Sequence, residues 1–137
     1  MRRCFLLLLV LGWVAYIPTF AQNCQTASSV PSDQPKVGGG TATSDYDGTT
    51  KFKGGQAVYV KVTNANVLGV TYELTIAHDT TPGVVVCTYK AVLTPKASSV
   101  LWGALFAEPP IRWKVTVAIG SESDAGVLTY EVYSKMK

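Results

Sequence analysis

With 137 residues, 47% of them hydrophobic and 15% charged, the chain is long enough for one globular core and too short for several. Two of its 12 Lys and Arg, Arg2 and Arg3, lie at the extreme N-terminus. The remaining ten face nine acids, leaving a net charge near +1 with no Lys/Arg stripe along the sequence, which argues against a nucleic-acid or anionic-membrane surface.

Arg2 and Arg3 precede an uncharged apolar run from Phe5 to Ile17, followed by Pro18 and the small-residue context Thr19-Phe20-Ala21. This reads as a signal peptide, residues 1–21, cleaved after Ala21. The run is shorter than the roughly 20 residues of a spanning helix, so no membrane span is expected after cleavage and the product is secreted or periplasmic. Neither Cys4 nor Cys24 sits in a lipoprotein attachment context. Cys24 and Cys87 then remain as the two cysteines of an exported chain, and the compartment predicts that they form a disulfide.

Residues 22–55 are rich in Ser, Thr, Gly, Pro and Asp and carry Gly38-Gly39-Gly40 and Gly54-Gly55. They predict an extended, loopy arm with one short strand near Thr49 to Lys53. The regular domain, 56–137, opens with two alternating runs broken at Asn64-Ala65-Asn66. Val58, Val60 and Val62 share one face of the first run, and Val70, Tyr72, Leu74 and Ile76 share one face of the second. Period-2 alternation predicts strands with one face in a core and one in water. The short connection predicts that these two strands are antiparallel neighbours.

His78 to Gly83 reads as a turn, followed by a strand from Val84 to Leu93 with Val85, Cys87, Tyr89 and Leu93 on one face. Thr94-Pro95-Lys96 turns the chain again. Ser98 to Phe106 has apolar residues on both faces, as in a strand buried on two sides or one carrying a bulge. Ile111, Trp113, Val115, Val117 and Ile119 form the cleanest inward face, Gly120 to Gly126 reads as a hairpin loop, and Val127 to Tyr133 closes the domain with Leu128, Tyr130 and Val132 inward. Six or seven regularly spaced strands without a helical pattern predict an all-β antiparallel β-sandwich, with a closed barrel as the lesser option.

The order of an Asn-containing turn, a Tyr-containing strand, the run Leu93-Thr94-Pro95-Lys96-Ala97-Ser98-Ser99-Val100, then Trp113-Lys114-Val115 and a last hairpin resembles bacterial immunoglobulin-like surface modules. The resemblance covers roughly Gln56 to Ser134, and Lys96 stands where that family's turn motif has glycine. It implies an immunoglobulin-like sandwich of about seven strands and a bacterial origin.

The candidate chemistry is sparse. His78-Asp79 pairs the one histidine with a carboxylate, but no nucleophile on a strained turn accompanies it, and a turn pair is the simpler reading. One histidine and two bridged cysteines are too few ligands for zinc. Asp45-Tyr46-Asp47-Gly48 resembles the opening of a calcium loop, which Glu122 and Asp124 would have to complete; Asx-turn chemistry explains both aspartates without a metal. Gly38-Gly39-Gly40 lacks the Gly-Lys-Ser/Thr ending of a phosphate loop and reads as a flexible segment. Tyr59 and Tyr133, and with them Trp102, are the candidate ligand-binding residues, because outward aromatics on a sandwich offer stacking faces to sugars. The expectation is therefore an exported, non-enzymatic module without cofactor or metal. It binds or scaffolds a protein or glycan at the bacterial cell envelope, the alternative being a carbohydrate-binding module that uses these aromatics.

Overall fold

The structure, a computed structural model, describes residues 22–53, 57–79, 85–105, 112–120 and 126–135. The expected leader, residues 1–21, lies outside the described residues, as do Ile111, Phe106, Glu122 and Asp124. Among the described residues every regular element is a strand: β1 Gln22–Asn23, β2 Gln25–Ala27, β3 Lys36–Thr43, β4 Gly48–Lys53, β5 Ala57–Asn64, β6 Val70–His78, β7 Val85–Leu93, β8 Ser98–Ala104, β9 Arg112–Ile119 and β10 Val127–Tyr133. They form two five-stranded sheets, a first in the order β1-β7-β6-β9-β4 and a second in the order β2-β8-β5-β10-β3. All pairings are antiparallel except the two-residue contact of β1 with β7. The expected antiparallel β-sandwich is the fold.

The alternating patterns place the core. Val58, Val60 and Val62 of β5, Val70, Tyr72, Leu74 and Ile76 of β6, Val115 and Val117 of β9 and Leu128 and Val132 of β10 are all buried between the sheets. Trp113 is 2% exposed and joins them. Polar contacts also cross the layer: the Thr50 and Tyr130 hydroxyls lie 3.0 Å apart, and the Tyr72 hydroxyl hydrogen bonds Ser99. Buried polar groups require such partners.

Strand pairing departs from the expectation. β5 and β6 are not neighbours but lie in opposite sheets, and so do β9 and β10, which therefore do not form the expected hairpin. Among consecutive strands only β6 and β7 are neighbours within a sheet. An immunoglobulin sandwich contains three such hairpin pairs in its two sheets. From β3 onward the order here, 7-6-9-4 against 8-5-10-3, is that of a jelly roll, two interleaved Greek keys. The physical reason is that alternation reports which way a side chain points, whereas a short turn can lead equally well to the adjacent strand or across the sandwich.

Residues 22–53 do not form the expected loopy arm. The expected strand near Thr49 to Lys53 is present as β4, and β3 runs through Gly38-Gly39-Gly40 as an edge strand paired with β10, the register shifting at Val37 between Gly38 and Lys36. Those glycines are there for close approach. A Cβ on Gly38 would stand 2.2 Å from Thr50 Cγ2, and one on Gly48 would stand 2.4 Å from the Tyr130 ring. His78 likewise belongs to a strand: it ends β6 and packs edge-on against Trp113, with ring centroids 4.4 Å apart. On β7 a register shift opposite Ile76 and Ala77 turns Val86 toward the core and leaves Val85 exposed, the reverse of the expected faces.

Cys24 and Cys87 are joined. Cys24 stands where the N-terminal segment changes sheets, after β1 has paired with β7 and before β2 pairs with β8. The bridge thus fastens one short segment across the edges of both sheets, so that the edges beside β7 and β8 are formed by the very short strands β1 and β2.

Candidate functional site

The outward face of the second sheet carries the sequence-predicted aromatics. Trp102 on β8, Tyr59 on β5 and Tyr133 on β10 alternate with the buried Leu101, Val58 and Val132, so all three project away from the core. Register makes them a row: Trp102 is directly opposite Tyr59, and Tyr59 is directly opposite Tyr133. The Tyr59 and Trp102 rings are stacked, with centroids 6.0 Å apart and planes inclined by 24°. Gln25 and Lys36 extend the row at either end, on β2 and β3. All three aromatics are half-buried.

Next to this row lies a groove of about 590 Å³, within the range of about 300 to 1,000 Å³ usual for small-molecule sites. Its floor is Lys61, Val100 and Tyr133, and its wall is the segment from Ala27 through Pro31 to Gln34, which runs from β2 toward β3. The wall explains the two-sided apolar pattern of β8: Val100 faces outward yet is only 7% exposed. The wall is fastened at its far end by hydrogen bonds from Ser134 N to Pro35 O, 3.1 Å, and from Lys135 N to Gln34 Oε1, 2.8 Å. Ser28, Ser29, Ser32 and Ser98 add hydroxyl groups to the groove.

Two cations, Lys36 and Lys61, flank a single acid at the site. Glu131 lies opposite Lys61, accepts a hydrogen bond from the Tyr133 hydroxyl and stands 3.8 Å from Lys36 Nζ. That hydrogen bond to Glu131 raises the Tyr133 pKa, so the phenol is a neutral donor at physiological pH. The face therefore offers flat aromatic area, hydroxyl groups and an ion pair between Lys36 and Glu131.

Among the described residues the other sequence-predicted candidates are not assembled into a site. Among the described residues no group of three His, Cys, Asp or Glu side chains converges to hold a metal. The β3–β4 turn is organised by the Thr43 hydroxyl, which accepts from Asp45 N and Tyr46 N at 3.3 and 3.1 Å, so the aspartates do not make the turn. Asp79 is engaged by Lys51, 3.3 Å away. Among the described residues no helix is long and apolar enough to cross a membrane. Sequence reading selected the three aromatics by their outward phase but missed the groove, because its wall belongs to a segment without periodicity. No protein-family model matches the chain, and no curated protein matches it either.

Proposed function

We propose that this chain is an exported, non-enzymatic β-sandwich that binds a glycan at the bacterial cell envelope through the outward face of its second sheet. One observation carries the reading: Trp102, Tyr59 and Tyr133 stand in register on three adjacent strands beside a hydroxyl-lined groove. Sugar rings present apolar C–H faces that stack on aromatic planes and hydroxyls that need polar partners, and this face supplies both. Cross-strand aromatic stacking also stabilises a sheet by up to about 1 kcal/mol, which accounts for the Tyr59–Trp102 pair alone. It does not account for the continuation to Tyr133 and the walled groove. The leader sequence and the disulfide support export, and the turn motifs retain their resemblance to immunoglobulin-like surface modules, although the strand order differs.

A panel of neutral and acidic polysaccharides, titrated against the intrinsic fluorescence of the mature protein, tests the proposal. Trp113 is shielded in the core, so a ligand-dependent change reports Trp102. Binding is expected to weaken at least about tenfold, roughly 1.4 kcal/mol, in Tyr59→Thr and in Tyr133→Thr. Both variants should keep the wild-type unfolding transition within about 1 kcal/mol. Binding to no glycan, or binding that ignores both substitutions, rejects the reading.

A further inference from the structure

The outward face of the first sheet concentrates charge that is dispersed in the sequence. On β4, Lys51 and Lys53 alternate with the buried Thr50 and Phe52, and on β9 Arg112 and Lys114 flank the buried Trp113. Register sets Lys51 directly opposite Lys114 and Lys53 directly opposite Arg112. Directly opposed residues have Cβ atoms about 5 Å apart, and residues two apart on a strand are about 7 Å apart. Four cations thus occupy the corners of one small rectangle. Among the described residues the acid paired with it is Asp79, through Lys51. No Lys/Arg stripe runs along the sequence, yet four of the ten Lys and Arg that follow Ala21 share this patch.

Like charges directly opposite one another destabilise a sheet, so two such pairs side by side are costly without a counter-charge. Lysines on an edge strand are also a known guard against edge-to-edge pairing. That explanation covers Lys51 and Lys53 on β4, the sheet edge, but not Arg112 and Lys114 on β9, which lies between β4 and β6. Beside the patch runs a row of hydroxyls: Thr49, Thr116, Thr75 and Thr88 stand in register on four adjacent strands. A flat strip of cations bordered by threonines suits a sugar chain that carries anionic groups. We infer that this face binds a polysaccharide bearing sulfate or phosphate groups, independently of the aromatic face on the opposite sheet. The lysines act as point charges, while the Arg112 guanidinium is able to hold one oxyanion with two donors.

Dextran sulfate is the probe, with unsulfated dextran, inorganic polyphosphate and phosphatidylglycerol vesicles as the other arms. The mature protein should bind dextran sulfate and not dextran; polyphosphate binding as well would mean that phosphate serves equally. Release of counterions from a polyanion predicts a log-affinity against log-salt slope of about −3 for four contacts. Arg112→Gln/Lys114→Gln should weaken binding at least about tenfold and flatten that slope by about 1.5. Lys36→Gln/Lys61→Gln on the second sheet, and Tyr59→Thr, should leave it unchanged. Thermal melting keeps the result interpretable: relief of like-charge opposition should leave the Arg112→Gln/Lys114→Gln transition unchanged or raised. If that variant fails to fold, Lys51→Gln/Lys53→Gln, both exposed on the edge strand, carries the same expected loss of binding. Binding to vesicles alone, equal losses whichever lysines are removed, or aggregation of the β4 variant with affinity intact would each overturn the inference.

Discussion

Lys96 holds its backbone in the left-handed region, at φ 59°. Left-handed backbone costs an L-residue about 1 to 2 kcal/mol and costs glycine almost nothing, which is why the resembling turn motif has glycine there. What compensates here is tertiary: Lys96 Nζ donates to Ala65 O, on the loop between β5 and β6. That loop is further fixed by Asn64, whose buried side chain donates to the carbonyls of Leu68, Leu93 and Thr94 and accepts from Asn66. Lys96→Gly trades relief of strain against the lost hydrogen bond and a more flexible unfolded chain, so its stability should stay within about 1 kcal/mol of wild type. Lys96→Val keeps the strain, adds β-branching and loses the bond, and should cost more than about 1 kcal/mol. Urea unfolding of the two variants decides it, and a valine variant as stable as wild type would contradict the account. The sequence marked Asn64-Ala65-Asn66 as a break between strands. It carried no sign that Asn64 is the buried hub of two loops, because its partners lie up to 30 residues away.

At the scale of the element, β6 shows what a pattern determines and what it leaves open. Alternation placed Val70, Tyr72, Leu74 and Ile76 on one face, and all four are buried. Which strands flank β6, namely β7 and β9, was not in the pattern. Tyr72 reaches across the sandwich to Ser99 on β8, and burial pushes its pKa up from 10.0 to about 12, against the opposing pull of that hydrogen bond. The sign of the effect on stability follows. Below pH 10 the phenol is neutral in the folded and unfolded states and the full stability is present. Between pH 10 and about 12 the unfolded chain ionises first, and stability falls as pH rises. Thermal melts should therefore decline across this window in wild type and decline less in Tyr72→Phe, with the residual slope assigned in part to Tyr133. Parallel slopes in the two proteins would mean that Tyr72 ionises freely in the folded state. β3 is the opposite case: its glycines obscured a strand whose neighbours leave no space for side chains.

For the whole molecule, the covalent bond between Cys24 and Cys87 spans 63 residues and ties the N-terminal segment to both sheets. Chain entropy assigns such a loop about 4 kcal/mol, a large share of the roughly 5 to 15 kcal/mol that stabilises a domain. Cys24→Ala/Cys87→Ala should lose at least about 2 kcal/mol in a denaturant melt. In native-state hydrogen exchange the amides of β7 and β8, which β1 and β2 cover, should lose protection before those of β5 and β10. Uniform loss of protection, or a change below about 1 kcal/mol, would mean that the bridge does not hold those edges.

The strands β4 to β10, the inward faces of β5, β6, β9 and β10, the buried Trp113 and the pairing of two cysteines were legible in the sequence, because alternation and redox chemistry are local or compositional properties. The jelly-roll order, the walled groove, the alignment of Trp102, Tyr59 and Tyr133, and the rectangle of Lys51, Lys53, Arg112 and Lys114 were decided only by the tertiary structure. Each depends on which distant strands become neighbours and in what register. That choice is made by the packing of two whole sheets against each other, so no window of consecutive residues contains it.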